Sequence, residues 1–365
     1  MLTKLDDTLR HQAPTTFDHV VSSDPRFFDR YWFCAYHPEG NVGVATGLAV
    51  YANMNVLDGY ACVIHEGIQH NLRFSREFRP DVDHLGVGPL SYEIVEGLRI
   101  IRLTLGENTT GTEFDIEWEG VAPAHEENYH FRRVNGRILE DYMRFDQVGC
   151  AGGSIVIDGR TYAVDKTGWW GIRDHSWGVR PGMGGPQNND VPTTRSGDVA
   201  FYWMTFRAGP YRGYYQMTED ADGSRLSLDG LVGHLDESKG QAVPLKDVEQ
   251  NLDVFPGTDG RVRTGEITFI DENGRRWPCR LEKLSSAWDI LGWGYRNGYK
   301  DGLGLGARRG GYLEESDTWD ISDPEKIVDL ENGREWKQAY RENAVRVTFE
   351  GEVGGGEFAH SVAIK

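Results

Sequence analysis

Several things are missing from this 365-residue sequence, and each absence removes a class of function. Only four cysteines occur, Cys34, Cys62, Cys150 and Cys279, with no C-x-x-C pair and no tight metal spacing, so neither a disulfide framework nor a zinc ribbon is indicated. A reduced, intracellular chain is the expectation. Positive charge is also scarce: 39 Lys and Arg face 57 Asp and Glu, a net charge of −18. Phosphate-backbone binding needs clustered cations, so nucleic acid is not an expected partner. No apolar run approaches the roughly 20 residues that span a bilayer, and Met1–Asp7 has no basic segment followed by an apolar one. The expected location is therefore cytoplasmic, without a membrane span.

Sequence length suggests two domains, although a single large all-β unit is also compatible with it. Forty-six glycines accompany 12% aromatic residues, a pairing common where aromatic strands are joined by tight turns. From Tyr31 onward the sequence runs in short β-branched and aromatic segments bounded by Gly, Pro, Asn or Asp. Phe114 to Gly120 alternates apolar and acidic residues, the period of a strand with one wet face. Asp158-Gly159 between Ser154–Ile157 and Arg160–Val164 predicts a hairpin with a type I′ turn. Leu2, Leu5 and Leu9 suggest a short opening helix packed on the fold, and Glu331 to Arg341 a final one. The expected fold class is all-β, two packed antiparallel barrel-like halves with few short helices, spanning 1–168 and 169–365.

The densest chemistry lies in Gly168 to Arg180, where Trp169, Trp170, Arg173, Asp174, His175 and Trp177 fall within thirteen positions. On an extended segment Arg173, His175 and Trp177 share one face and Asp174 and Ser176 the other. Gly182 to Asp190, rich in turn formers, reads as a loop or lid beside it. Two His-Glu segments, at His65-Glu66 with His70 and at His125-Glu126 with His130, lack the spacing of a helical zinc motif. The Gly302 to Gly306 run lacks the context of a dinucleotide fingerprint and reads as a loop between strands. No metal and no cofactor is expected.

Within Trp170 through Gly178, Asp174-His175-Ser176-Trp177-Gly178 resembles the Asp-His-x-Trp/Phe-Gly element of the calycin-like group that includes carotenoid 1,2-hydratases, kievitone hydratase and AttH-type proteins. Phe201-Tyr202-Trp203 is similar to the aromatic strand that follows in that group, and Gly310 to Glu314 to its later Gly-Tyr-Leu-Glu signature. The resemblance implies two consecutive lipocalin-like domains and cofactor-independent chemistry on an apolar, terpenoid-, steroid- or aromatic-like small molecule. The reaction it implies is that of a hydratase or dehydratase. Isomerisation, cyclisation or simple carriage of a hydrophobic ligand are the alternatives, since fold does not fix reaction.

Carried over by position, the group's functional His-x-Trp falls on His175 and Trp177, and its aromatic–acid pair lies near Tyr202. The acid's place is taken by Met204 or Trp203, which leaves Asp174 as the candidate carboxylate. Expected catalytic residues are thus His175, Asp174 and Tyr202, with His175 facing the cavity as the acid/base and Asp174 either orienting a neighbouring group or pairing with Arg173 or Arg180. Expected substrate contacts are Trp177, Trp169, Trp170, Arg173, Trp203, Tyr312 and Glu314. Tryptophan faces would stabilise a carbocation formed by protonating an alkene. The expected assembly is a monomer or homodimer.

Overall fold

A computed structural model describes residues 2–186, 200–258, 261–337 and 341–361, and these are almost entirely β. The alternation read from the sequence becomes two antiparallel sheets. In the first, Ile68–Glu77, Val56–His65, Val42–Tyr51 and Phe27–Tyr36 pair in succession. Phe27–Tyr36 then pairs with Trp170–Val179, which pairs with the long Arg137–Ile157 strand. Glu113–Gly120, Ile100–Leu105 and Leu90–Glu96 follow. The sheet curls on itself, since a side chain at Gly59 would meet Leu90 and Val87 from its far end.

The second sheet closes. Ala200–Ala208, Tyr211–Glu219, Arg225–His234, Val243–Val254, Val262–Asp271 and Arg276–Lys283 form a meander, and Arg341–Phe349 and Glu352–Ser361 join its two ends into an eight-stranded barrel. The fold is consistent with the lipocalin-like, two-domain expectation. The ladders do not break at residue 168, however. Trp170–Val179 is hydrogen-bonded on both sides within the first sheet, and Tyr312–Asp320, far along the chain, adds to the same sheet beside Ile68–Glu77. Backbone donors of a central strand need partners on both edges, and the first sheet supplies them.

Period-2 alternation sorts the side chains into three apolar layers. Phe33, Phe74, Trp118 and Trp169 fill the first sheet's interior, while Phe206, Phe269, Trp277 and Phe349 fill the barrel. Between the sheets lie Trp32, Tyr36, Ile172, Trp203, Trp288, Trp293 and Trp319. Each buried tryptophan contributes on the order of 5 kcal/mol by apolar area before entropy is counted, so this layer holds the two sheets in one arrangement. Trp170 helps to fix it: a Cβ at Gly355 of the barrel would collide with the Trp170 ring, so only glycine permits that approach.

Both expected helices differ from the structure. The opening segment is a single 3-10 turn, Lys4–Asp7, and Leu2, Leu5 and Leu9 are exposed. Asp6 accepts from the backbone of Thr3 and Phe17 and contacts His11, which folds the chain back before a helix can propagate. Near the C-terminus, Glu335–Trp336 pairs with Ile327–Asp329 through a turn held by Asp329, and Trp336 packs edge-on against Trp319. Residues 338–340 lie outside the described residues. The Asp158-Gly159 turn is as expected, with φ of 50° and 74°.

Candidate active site

The layer between the sheets opens into a cleft of about 450 Å³, mouth included. One wall comes from the first sheet, where strand register decides which residues meet. Trp32 and Asp146 lie opposite Asp174 on its two neighbouring strands, and Arg30 and Arg144 lie opposite Ser176. Pairing across a sheet keeps side chains on a common face, so Arg30, Trp32, Arg144 and Asp174 all reach the cleft. Arg180, just past the strand, joins them.

The barrel supplies the facing wall. Phe201 and Trp203 come from one strand, Ala359 from the next, and Glu342 lies opposite Ala359 on the third. Trp293 ends the short 3-10 turn Ile290–Trp293, started by the Asp289 carboxylate accepting from Leu291 N–H at 2.9 Å and stopped by Gly294 at φ 83°, and Tyr295 follows directly after it.

Charge in this cleft is mainly positive. Arg30, 4% exposed, donates to the hydroxyls of Tyr295 and, at 3.2 Å, Tyr60. Arg180 donates to the same Tyr295 hydroxyl at 3.0 Å. Arg144 is paired: it donates to Glu127 at 2.8 Å and to Gln216, and lies 5.8 Å from the Trp203 ring centre. Glu127 also meets His130 at 2.8 Å. Against the upward push of burial, the Arg144 guanidinium and the hydrogen bonds with His130 and Arg144 hold Glu127 well below its ordinary range, and the adjoining Asp146 carboxyl is pushed well up by burial and by Glu127.

Asp174 stands among these groups without a hydrogen bond to its Oδ1. Burial pushes its carboxyl up from the ordinary value, against the opposing pull of Arg144, Arg30 and Arg180. The indole N–H groups of Trp32, Trp203 and Trp293 also find no partner among the described residues. Trp32 packs against both others, with ring centres 6.0 Å apart in each case. The cleft therefore holds a carboxyl prone to carry a proton, donors awaiting an acceptor, and aromatic walls.

Two of the expected residues, Asp174 and Trp203, line this cleft. His175 points to the opposite face of its strand, where its Nε2 meets Asp29 at 2.7 Å and its ring packs on Tyr31, Phe145 and Trp177. His175, expected to face the cavity, does not line this cleft, for the period-2 reason that Asp174 does. Trp177 is on that other face and exposed. Arg173 is buried in the first sheet, donates twice to Gln147 Oε1 at 2.9 and 2.7 Å, and is lowered to about 10 by burial.

Trp169 is core beside His37, and Tyr202 points into the barrel, stacked 4.7 Å from His360. Tyr312 is exposed and donates to Glu314 at 2.7 Å, which also accepts from Thr109, on the far edge of the first sheet. The Gly182 to Asp190 loop is described only to residue 186. That part is packed: Met183 is buried at Tyr51, and Gly185 accepts no larger side chain against Ala307 without movement. The Gly302 to Gly306 loop is tied down by Gly306 N–H donating to Asp58 at 2.6 Å. Among the described residues no cluster of three His, Cys, Asp or Glu side chains has metal-binding geometry.

Arg30, Trp32, Arg144, Trp293, Tyr295 and Glu342 were not singled out from the sequence. A signal was present for Arg30 and Arg144, each a charge placed in phase with apolar residues of a long strand.

Three solved structures share the fold. An AttH protein from Nitrosomonas europaea aligns over 93% of each chain at 10% identity with a TM-score of 0.56. Kievitone hydratase from Nectria haematococca aligns over 91% of this chain and 88% of its own at 10% identity, TM-score 0.51. The protein CghA aligns over 93% and 89% at 10% identity, TM-score 0.51. At that identity the likeness is one of fold, and the resemblance read from the sequence holds at that level. No curated protein sequence matches the chain. By the match of its residues 2–332 to the family profile, the chain belongs to DUF8625, a family of unknown function.

Proposed function

We propose that the protein is an enzyme of the hydratase or dehydratase type, working on a largely apolar small molecule in the cleft between the sheets. The observation that carries this reading is the Asp174 carboxyl, raised by burial and lacking a hydrogen bond at Oδ1, in a cleft lined by tryptophan. A carboxyl whose protonated form is favoured by burial is suited to act as a general acid, and such groups cluster at catalytic sites. The neighbours' printed names, kievitone hydratase among them, are in keeping with it.

The sign of the cleft's charge selects the transition state. A carbocation about 5 Å from a guanidinium is opposed by roughly 3 kcal/mol at an effective dielectric of 20. An indole face returns only about 0.5–2 kcal/mol. Arg30, Arg144 and Arg180 together therefore disfavour the cationic path drawn from the sequence and favour one in which negative charge builds on a substrate oxygen. In the hydration direction, Glu342 takes a proton from water as its oxygen bonds to the β-carbon of a conjugated carbonyl compound. The electron pair moves to the carbonyl oxygen, facing the arginines, Tyr295 and indole N–H groups. Asp174 then protonates the α-carbon, and solvent returns the proton from Glu342 to Asp174. Dehydration is the reverse.

The test is a panel of unsaturated aromatic and terpenoid carbonyl compounds and their hydroxy counterparts, incubated in ¹⁸O-labelled water. Loss of the conjugated absorbance with one ¹⁸O in the product is expected. Conversion without labelled oxygen identifies an isomerase or cyclase, and binding without conversion a carrier; either overturns the proposal.

A further inference from the structure

Arg30, almost wholly buried, and Arg180, partly buried, converge on one point of the cleft. Arg73 pairs with Glu315 and Asp317, and Arg144 with Glu127. Arg30 and Arg180 have no carboxylate ion pair among the described residues, and both donate to one neutral hydroxyl, that of Tyr295. Arg30 is almost wholly buried between the Tyr60 and Tyr295 rings, and Arg180 lies against Phe28 and Tyr142. Asp174 and Glu342 are the carboxyls that share the cleft with them; among the described residues neither forms an ion pair with Arg30 or Arg180, and the burial of Asp174 favours its uncharged form.

A cation taken out of water is costly unless an anion accompanies it, so the buried Arg30 and the partly buried Arg180, converging on one point of a cleft, define a place where a ligand supplies negative charge. Two guanidiniums around a single hydroxyl suit a two-oxygen anion better than a lone oxygen. The three unpartnered indole N–H groups and the apolar surface of Phe201 and Ala359 suit the remainder of such a molecule.

We propose that Arg30 and Arg180, braced on Tyr295, form a carboxylate-binding subsite, so that the molecule accepted by the cleft is an apolar or aromatic acid and not a neutral hydrocarbon. This rests on the cleft being the substrate site and adds the identity of the substrate's head group. The carboxylate displaces the Tyr295 hydroxyl from one or both guanidiniums and fixes which end of the ligand faces Asp174. Tyr295 is then a positioning residue: it holds both arginines in register when the cleft is empty.

The test uses two probes of one shape, 2-naphthoate and 2-naphthalenemethanol, measured by calorimetry and tryptophan fluorescence on the full chain. The wild type should bind the acid roughly 10- to 100-fold more tightly than the alcohol, as charged hydrogen bonds allow. Arg180→Gln should abolish that preference while leaving alcohol binding within about threefold, and Arg180→Lys should restore part of it. Arg30→Gln should act in the same direction, with circular dichroism checking that it folds. Equal affinity for the two probes in the wild type overturns the carboxylate subsite but leaves the Asp174 reading standing. A preference that survives both Gln variants places the anion elsewhere and overturns it too. Binding of neither probe overturns the subsite, and the reading of Asp174 then stands or falls by the isotope experiment.

Discussion

Replacing Asp174 with asparagine removes one proton and almost nothing else. The side chains are nearly isosteric, and the backbone of residue 174 stays held between Trp32 and Asp146 on the neighbouring strands. Oδ1 makes no hydrogen bond, so no native partner is lost there. The linkage sign also favours the variant. A carboxyl raised on folding contributes stability that is complete below its unfolded pKa of about 3.9 and is lost as pH rises through the folded value. At neutral pH, Asp174→Asn should therefore be as stable as the wild type or more so. Turnover should fall by about 10²- to 10⁴-fold, the range for losing a general acid, or about 3–5 kcal/mol of barrier. The assay is the initial rate on whichever panel compound the wild type converts, beside calorimetric melting of both proteins. A variant that folds and keeps more than a tenth of the wild-type rate refutes the role assigned to Asp174.

Other consequences are as specific. His175→Ala should alter turnover by far less than the roughly 100-fold of an acid–base group, and stability by under about 1 kcal/mol, because its partner Asp29 is 56% exposed; kinetics and denaturant melts read both. Arg144→Met should cost about 3–5 kcal/mol in a urea titration, since it leaves the fully buried Glu127 carboxylate with His130 as its remaining partner; a loss below about 1 kcal/mol would mean that His130 alone suffices. Asp58, pushed up to about 6 chiefly by burial, should contribute stability that is complete below about pH 4 and fades as pH rises through 6. Against Asp58→Asn, the wild type should lose up to about 3 kcal/mol between pH 4 and pH 8, and parallel pH–stability curves would exclude the shift.

Strand texture, the Asp158-Gly159 hairpin and the all-β class were legible because each is local: alternation and turn chemistry act over a few residues. The division of Arg173, His175 and Trp177 from Asp174 was legible for the same reason. Which of the two faces meets the cleft was not, because that depends on what packs against the strand from far along the chain, here Trp203 and Trp293. Closure of the barrel by Arg276–Lys283 pairing with Arg341–Phe349 spans too much sequence to be read from spacing. Addition of Tyr312–Asp320 to the first sheet is a long-range pairing of the same kind, and it carried Glu314 away from the cleft. Arg30 was passed over because a single charge in an aromatic strand looks like a solvated edge until its burial is known.

The account turns on whether Asp174 is an acid that keeps its proton, and infrared difference spectroscopy measures that without a substrate. Spectra of wild type minus Asp174→Asn, recorded across a pH titration, isolate this carboxyl from the buried Asp146 and Glu357, which are common to both proteins. The account predicts a carboxylic-acid carbonyl band that is lost at a higher pH than the roughly 3.9 of an ordinary aspartic acid. A band lost at or below that ordinary value would contradict it.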